Sequence, residues 1–130
     1  MPSHRQTIIG RALIYLVVLV LLLDGSAQAV VPPFMAGVLN ESQFPLAMAP
    51  ALATVTIACA LILAIPRLAV LGAILVTGFL GGAIATHFRL GEIGTPPQLA
   101  CLVIGALMWA GLYLADARVR ALLPTVRAAG

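Results

Sequence analysis

Four apolar segments, each long enough to cross a lipid bilayer, constrain this chain more than any other feature of its sequence. They cover residues 12–31, 46–65, 68–88 and 98–114. A transmembrane helix needs about 20 mostly apolar residues, and it satisfies its own backbone hydrogen bonds inside the hydrocarbon. With 62% hydrophobic and 8% charged residues, the chain is too apolar for an ordinary soluble domain. The sequence therefore predicts an all-α membrane protein in which residues 1–130 form a single four-transmembrane-helix bundle.

The first segment also has the features of a secretory signal peptide. Arg5 and Arg11 precede its apolar run, and Ala27-Gln28-Ala29 resembles an A-x-A cleavage site. The apolar and small residues continue past that site, however, and cleavage would leave three spans. We therefore interpret the segment as a span, and the intact mass of the membrane-extracted protein would separate the two interpretations.

The positions of the arginines predict how the chain is oriented. All seven basic residues are arginines, and in a four-pass chain only Arg89 lies on one side. By the positive-inside rule the other side, which carries both termini, is cytoplasmic. This arrangement explains the net charge of +3 better than a nucleic-acid partner does. The predicted cytoplasmic arginines are Arg5, Arg11, Arg67, Arg118, Arg120 and Arg127.

A polar cluster is predicted between segments one and three, near the outer surface. A carboxylate within a span costs about 2.5 to 3.5 kcal/mol on insertion scales, so Asp24 needs a partner or a proton. Gln28 follows one turn later on the same helix face. Gly78 and Gly82 form a G-x-x-x-G pair, which lets another helix approach closely, and segment one is its natural partner. The predicted cluster consists of Asp24, Gln28, Thr86, His87 and Arg89.

Three interpretations of this cluster stay open. In the first, Asp24 and Arg89 neutralise each other and fix the register of two helices. In the second, the cluster binds a ligand or handles a proton, with His87 as the group that titrates near neutral pH. In the third, Asp24 lies outside the bilayer core.

The sequence offers no catalytic residue set and no metal-ligand set. Cys59 and Cys101 lie at depths that differ by about 15 Å at helical rise, whereas a disulfide needs Cα atoms within about 7 Å. A bis-histidine haem within one chain lacks a second ligand, because only His87 lies in or near a span. The motifs C-x-x-C, H-E-x-x-H and G-x-x-x-x-G-K-[ST] do not occur. These observations favour a protein that is not an enzyme.

The run TGFLGGAIATHFR, from Thr77 to Arg89, resembles the DoxX-like family of small four-span bacterial membrane proteins. Gly25, Ile65-Pro66 and the tail GLYLADARVRALLP over 111–124 add to the resemblance, which covers nearly the whole chain. It implies a four-helix bundle in the bacterial inner membrane with cytoplasmic termini. By position it points to helix-packing glycines at Gly25, Gly78, Gly81 and Gly82, and to Thr86, His87 and Arg89.

The chain departs from this resemblance at two positions. Relatives often carry a basic residue where this chain has Gln28, and a carboxylate near its Thr56. A charge-pair mechanism assumed for the family is therefore in doubt here, and Asp24 is the sole acidic group inside a predicted span.

For function, the leading hypothesis is a non-enzymatic accessory or small-molecule-binding subunit, and the resemblance adds an association with membrane redox machinery. The partners are then the lipid bilayer and either a membrane oxidoreductase or a second copy of the chain. A quinone is the implied cofactor, on the basis of the resemblance alone. Two alternatives stay open. One is a proton-coupled small-solute carrier that uses Asp24 and His87, and the other is a quinone-reactive oxidoreductase subunit.

Overall fold

The computed structural model describes residues 3–122, and these residues are helical almost throughout. Four helices are long and apolar enough to cross a membrane, which confirms the predicted all-α four-helix bundle. Two short 3-10 turns, Leu46–Met48 and Pro66–Leu68, precede the second and third of them. The α-helices are α1 (His4–Val30), α2 (Pro33–Glu41), α3 (Ala49–Ala64), α4 (Ala69–Arg89), α5 (Pro96–Ala115) and α6 (Ala117–Leu122).

The ends of the spanning helices follow from local capping. Helix α1 starts at His4, well before the predicted start of the span, because Ser3 and Gln6 form a capping box in which each side chain accepts the other's backbone N–H at 3.2 and 3.0 Å. Pro50 lies in the first turn of α3, where a missing backbone donor is tolerated. The first spanning helix contributes to the core of the bundle. Val17 and Leu21 of α1 are buried there, so removal of this segment as a signal peptide would remove core side chains.

Helix α2 was not predicted from the sequence, which indicated only a connection there. Its first residue is Pro33, a residue pre-organised for the first helical position. Val31 takes a left-handed conformation (φ 51°) and ends α1. The two buried residues of α2, Met35 and Leu39, pack with Ala49 in a small apolar cluster separate from the main core. The short helix therefore covers one end of the bundle instead of crossing it.

The four spanning helices form a ring. Helix α1 packs against α3 and α5, and α4 packs against the same two helices. Helices α1 and α4 therefore lie diagonally across the bundle, which corrects the predicted pairing of segment one with the glycine face of segment three. Buried side chains from all four helices fill the centre, among them Val17, Leu63, Val76, Met108 and Leu112.

Most of the close contacts between helices occur at glycines other than the predicted packing glycines. A Cβ built on Gly10 would lie 2.5 Å from the carbonyl oxygen of Gly111, so α1 and α5 touch through their backbones. Gly72 lies against the backbone of Leu63 in the same way. Gly25 faces α3, where a Cβ would lie 2.6 Å from Ile57 Cγ1. By contrast, a Cβ on any of three predicted packing glycines would meet nothing within 4 Å; these are Gly78, Gly81 and Gly82.

Most of the arginines lie at one end of the bundle, which we call the arginine-rich end. The start of α1 and the end of α5 meet there at Gly10 and Ala115. An Arg118 amino group lies 3.5 Å from the carbonyl oxygen of Pro66, which joins α6 to the turn between α3 and α4. The described arginines at this end are Arg5, Arg11, Arg67, Arg118 and Arg120, while Arg127 lies outside residues 3–122.

Candidate functional site

A cavity of about 570 Å³ lies at the end of the bundle opposite the arginine-rich end. It is lined by α1, α4 and α5, with α2 and the α2–α3 connection on one side. Most of its walls are apolar, and a few polar side chains reach it. A largely apolar cavity with a small number of polar groups is typical of small-molecule sites. The polar lining residues are Asp24, Gln28, Ser42, Thr86, His87 and Cys101.

The α1 side of the cavity carries a hydrogen-bonded chain of three polar residues. The Thr56 hydroxyl lies 2.9 Å from Gln28 Oε1 and 2.9 Å from the Leu52 carbonyl oxygen, either of which can accept its one proton. Gln28 Nε2 donates to Asp24 Oδ2 at 2.7 Å. Gln28 is only 5% exposed and Thr56 is fully buried, whereas Asp24 is half-buried at the cavity. Two buried residues thus hold the carboxylate in place, and no partner is found for Asp24 Oδ1 among residues 3–122.

Gln28 and Thr56 are also the two positions at which the chain departs from the resemblance described above. The structure brings them into direct contact between α1 and α3. A neutral amide and a hydroxyl here satisfy each other without a buried charge, which is costly to place in a low-dielectric interior. The pairing of these two positions could not be read from one sequence, because they are 28 residues apart.

The α4 side of the cavity carries His87, and its partner is Glu92. His87 Nδ1 lies 2.5 Å from Glu92 Oε2. Sequence reasoning missed Glu92, because it falls in the loop after the third span. A carboxylate on Nδ1 fixes the orientation of the imidazole and leaves Nε2 as the nitrogen available to a ligand.

The turn that follows α4 explains how Glu92 returns to His87. Gly91 has a left-handed conformation (φ 79°). The Gly91 N–H donates to the Phe88 carbonyl at 2.9 Å, and the Glu92 N–H donates to the His87 carbonyl at 3.1 Å. These two bonds define a Schellman motif, which commonly ends a helix at a glycine. A glycine directly after the last turn of the span was therefore the sequence signal for this contact.

Gln98 fastens the same loop to the bundle. It is 3% exposed, and its Nε2 donates to the carbonyl oxygens of Ile84 at 3.4 Å and Glu92 at 3.3 Å. Its Oε1 accepts the backbone N–H of Thr95 at 3.1 Å, at the start of α5. The side chain therefore holds the Glu92 loop between α4 and α5.

The five residues of the predicted polar cluster do not all lie in the cavity. Asp24, Gln28, Thr86 and His87 line the cavity, whereas Arg89 is exposed and lies at a second, shallower cleft of about 400 Å³. Among the described residues, the acidic partners found in ion pairs are Glu92 and Asp116, so Asp24 and Arg89 are not paired. The interpretation in which these two neutralise each other is therefore wrong for this structure.

The arrangement supplies hydrogen-bonding groups at two edges of an apolar space. Asp24 offers a carboxylate acceptor from α1. A neutral His87 that donates Nδ1–H to Glu92 offers Nε2 from α4 as an acceptor, and that nitrogen can also take a proton. Within residues 3–122 no group of three His, Cys, Asp or Glu side chains is placed to hold a metal ion. Cys59 is buried, Cys101 reaches the cavity, and both thiols are free.

Comparison with known protein families finds a match to this chain. The sequence model of a family described as the DoxX-like family matches residues 12–111, from the first spanning helix to near the end of the fourth. No curated protein and no solved structure matches the chain.

Proposed function

Since the chain belongs to the DoxX-like family and is an integral membrane protein of that type, we propose that it binds a small amphiphilic molecule within its helix bundle. In this proposal the protein is not itself an enzyme and serves as an accessory or binding subunit. The observation that carries the proposal is the apolar cavity with polar groups at two of its edges, Asp24 on α1 and His87 on α4.

The size and chemistry of the cavity define the ligand class. Its volume of about 570 Å³ falls within the roughly 300 to 1,000 Å³ of small-molecule sites. The apolar walls, among them Leu21, Phe79 and Ile104, suit a hydrocarbon or ring system. Asp24 and His87 suit a polar end that carries hydroxyl or carbonyl groups, because a carboxylate accepts hydrogen bonds and an imidazole accepts or donates them.

A quinone fits this lining. Asp24 and His87 Nε2 would accept hydrogen bonds from the ring hydroxyls of its reduced, quinol form, and the apolar walls would hold its tail. When bound, a quinone supplies two-electron redox chemistry, and a membrane oxidoreductase partner would exchange those electrons with it. Support for this particular cofactor and partner comes from the family resemblance alone.

The proposed location is the bacterial inner membrane, with both termini in the cytoplasm. Five described arginines at the end of the bundle where α1 begins and α6 lies support this orientation, because basic residues are enriched on the cytoplasmic side. The cavity then lies in the outer half of the membrane. A fluorescent protein fused to the C-terminus is expected to fluoresce, and alkaline phosphatase fused there is expected to stay inactive; an active phosphatase would contradict the orientation.

Mass spectrometry of an organic extract from the protein purified in mild detergent tests the binding proposal. We expect one small molecule at a near-stoichiometric amount above a control membrane protein. Asp24→Asn and His87→Ala should lower that amount. Glu41→Gln serves as the matched control, because Glu41 is exposed and does not line the cavity. An extract that contains only bulk phospholipid, at the level of the control protein, would contradict the proposal, whereas a recovered quinone would favour the oxidoreductase-subunit alternative.

A proton-coupled carrier is the second candidate. Its support is that two titratable side chains, Asp24 and His87, line one cavity. Solute flux into proteoliposomes that is lost in Asp24→Asn and retained in Cys59→Ala would favour the carrier. Flux that is unchanged in Asp24→Asn would exclude this mechanism.

A further inference from the structure

A shallow cleft lies directly beside the cavity, on the membrane-facing side of α4. One wall is the α2–α3 connection, with Gln43, Phe44 and Pro45, and the other is the last part of α4. The two spaces have three lining residues in common: Phe44, Gly82 and Thr86. The cleft and the cavity therefore meet across these residues.

The cleft lies at the end of α4 that is far from its closest contact with α3. At the arginine-rich end Gly72 lies against the Leu63 backbone, so α3 and α4 are in close contact. One to three turns later, Gly78 and Gly82 are exposed, and a Cβ built on either would meet nothing within 4 Å. Gly78 and Gly82 point to other sides of α4 than Gly72, because successive residues of a helix are rotated by about 100°. They belong to an exposed face of small residues, and Gly82 on this face borders the cleft.

The boundary between the cleft and the cavity lies at the depth of the hydrocarbon. Gly82 precedes Arg89, the last residue of α4, by seven positions, which is about 10 Å at the helical rise of 1.5 Å per residue. Phe88 is 56% exposed near the same end. Arg89 is exposed at the edge of the cleft, where a long basic side chain can reach the level of the lipid headgroups. A molecule that passes over Gly82 would therefore cross at the level of the hydrocarbon.

We propose that the cavity is entered sideways from the membrane, through the opening between Gly82 of α4 and Phe44 of the α2–α3 connection. The ligand class is then a neutral amphiphile dissolved in the bilayer, because a charged group crossing an apolar opening at this depth would lose its hydration. The inference rests on the proposed binding function and adds its route and its ligand class.

Two neighbouring glycines make a matched test of this route. Gly82 lines both the cavity and the cleft, whereas Gly81 lines neither. Both are helical and exposed, and both have free space around a built Cβ. A leucine at either position therefore adds the same apolar volume to the same helix, but only Gly82→Leu narrows the opening.

Cys101 serves as a native reporter inside the cavity. It lines the cavity from α5, whereas Cys59 is buried elsewhere in the core. In a Cys59→Ala background Cys101 is the only thiol, since the chain has two cysteines. The probes are N-dodecylmaleimide, which dissolves in the bilayer, and a sulfonated maleimide, which stays in water; labelling in proteoliposomes is followed by intact mass.

We expect N-dodecylmaleimide to label Cys101 and the sulfonated maleimide to label it much more slowly. Gly82→Leu should slow labelling by N-dodecylmaleimide about tenfold, the change that a barrier higher by about 1.4 kcal/mol produces. Gly81→Leu should leave the rate unchanged. Phe44→Ala removes bulk from the opposite wall and should speed labelling, so it tests the route independently if Gly82→Leu fails to fold.

The outcomes separate the route from the binding function. Labelling of Cys101 at the parent rate in both Gly82→Leu and Phe44→Ala would overturn sideways entry while leaving an accessible cavity. Faster labelling by the sulfonated probe than by N-dodecylmaleimide would also overturn it, in favour of entry from water. A folded protein in which neither probe reaches Cys101 would contradict the proposed binding function itself.

Discussion

Gln28 connects the candidate site to the rest of the bundle. Its amide is the centre of a chain from Thr56 on α3 to Asp24 at the cavity. A buried amide must have both its donor and its acceptor satisfied, because an unpaired polar group in an apolar interior is costly. At the scale of single residues, the position of the Asp24 carboxylate therefore depends on a hydroxyl on another helix.

Removal of that hydroxyl should destabilise the protein measurably. In Thr56→Val, Gln28 Oε1 loses its donor, and we expect a loss of about 0.6 kcal/mol, and at most about 1.7 kcal/mol, in the free energy of unfolding, the mean and the maximum found for hydrogen bonds between membrane helices. Thr54→Val is the control on the same helix, because the exposed Thr54 hydroxyl donates only to the Pro50 carbonyl of its own helix. Equal stability losses in the two variants, measured by unfolding in detergent, would contradict a role for the Thr56–Gln28 bond.

The ends of the helices place the second polar edge of the site. Helix α4 ends in a Schellman motif at Gly91, and this turn puts Glu92 beside His87. Gln98, in the first turn of α5, holds the same loop. At the scale of the elements, the loop geometry and not the spans themselves supplies the partner of the histidine.

Gly91→Ala should weaken both the turn and the site. An alanine in the left-handed conformation costs about 1 to 2 kcal/mol relative to glycine, and relief of that strain would move Glu92 away from His87. Gly94→Ala is the matched control, because Gly94 also has a positive φ (73°) but does not belong to the Schellman motif. We expect both variants to lose stability in thermal unfolding and only Gly91→Ala to lose bound ligand. Ligand retention in Gly91→Ala equal to that in Gly94→Ala would contradict this account of the turn.

The junction of α5 and α6 should depend on pH at the acidic end of the scale. The Arg118 guanidinium, with one nitrogen 2.7 Å from Asp116 Oδ2, lowers the pKa of the Asp116 carboxyl below its usual range. Since the folded pKa lies below the unfolded one, the contact stabilises the junction above the unfolded pKa of about 3.9 and this contribution is lost as pH falls through the lowered folded pKa.

Hydrogen exchange of the α6 amides measures this dependence. Protection should fall as pH drops below about 4, after correction for the intrinsic exchange rate. Asp116→Asn should remove the dependence, and Glu41→Gln should retain it, because Glu41 has no ion-pair partner among residues 3–122. An unchanged pH profile in Asp116→Asn would show that another group is responsible.

The ring of four spanning helices is closed at one end and open at the other. Backbone contacts at Gly10, Gly72 and Gly111 join neighbouring helices toward the arginine-rich end. The cavity and the adjoining cleft occupy the other end. At the scale of the whole molecule, the tightly packed half provides the stability and leaves the other half free to enclose a ligand.

Two glycines of α4 test this division. Gly72→Ala places a methyl group against the Leu63 backbone, and overpacking of this kind costs about 1 to 3 kcal/mol. Gly78→Ala adds the same methyl group where nothing lies within 4 Å, and we expect unchanged stability or a gain of up to about 1 kcal/mol from helix propensity. Unfolding of both variants in detergent measures the difference. A loss in Gly78→Ala as large as that in Gly72→Ala would show that its face is packed after all.

The sequence by itself determined the four spans, because insertion of a helix into hydrocarbon depends on the length and hydropathy of a local segment. The number of spans also predicted that the described arginines other than Arg89 lie at one end of the bundle, because four crossings return the chain to its starting side. Pro50 at the start of α3 was predictable for a local reason as well, since it depends only on the first turn of its own helix.

The tertiary structure alone decided which helices are neighbours and which polar side chains meet. Gly78 and Gly82 have the spacing of a packing motif, yet α3 and α5 separate α4 from α1. Helices in lipid are all apolar, so hydrophobicity does not select their partners; side-chain and backbone fit does. The same fit pairs Gln28 with Thr56 across 28 positions and leaves Arg89 outside the cavity, and such long-range contacts have no signature in the spacing of residues along a single chain.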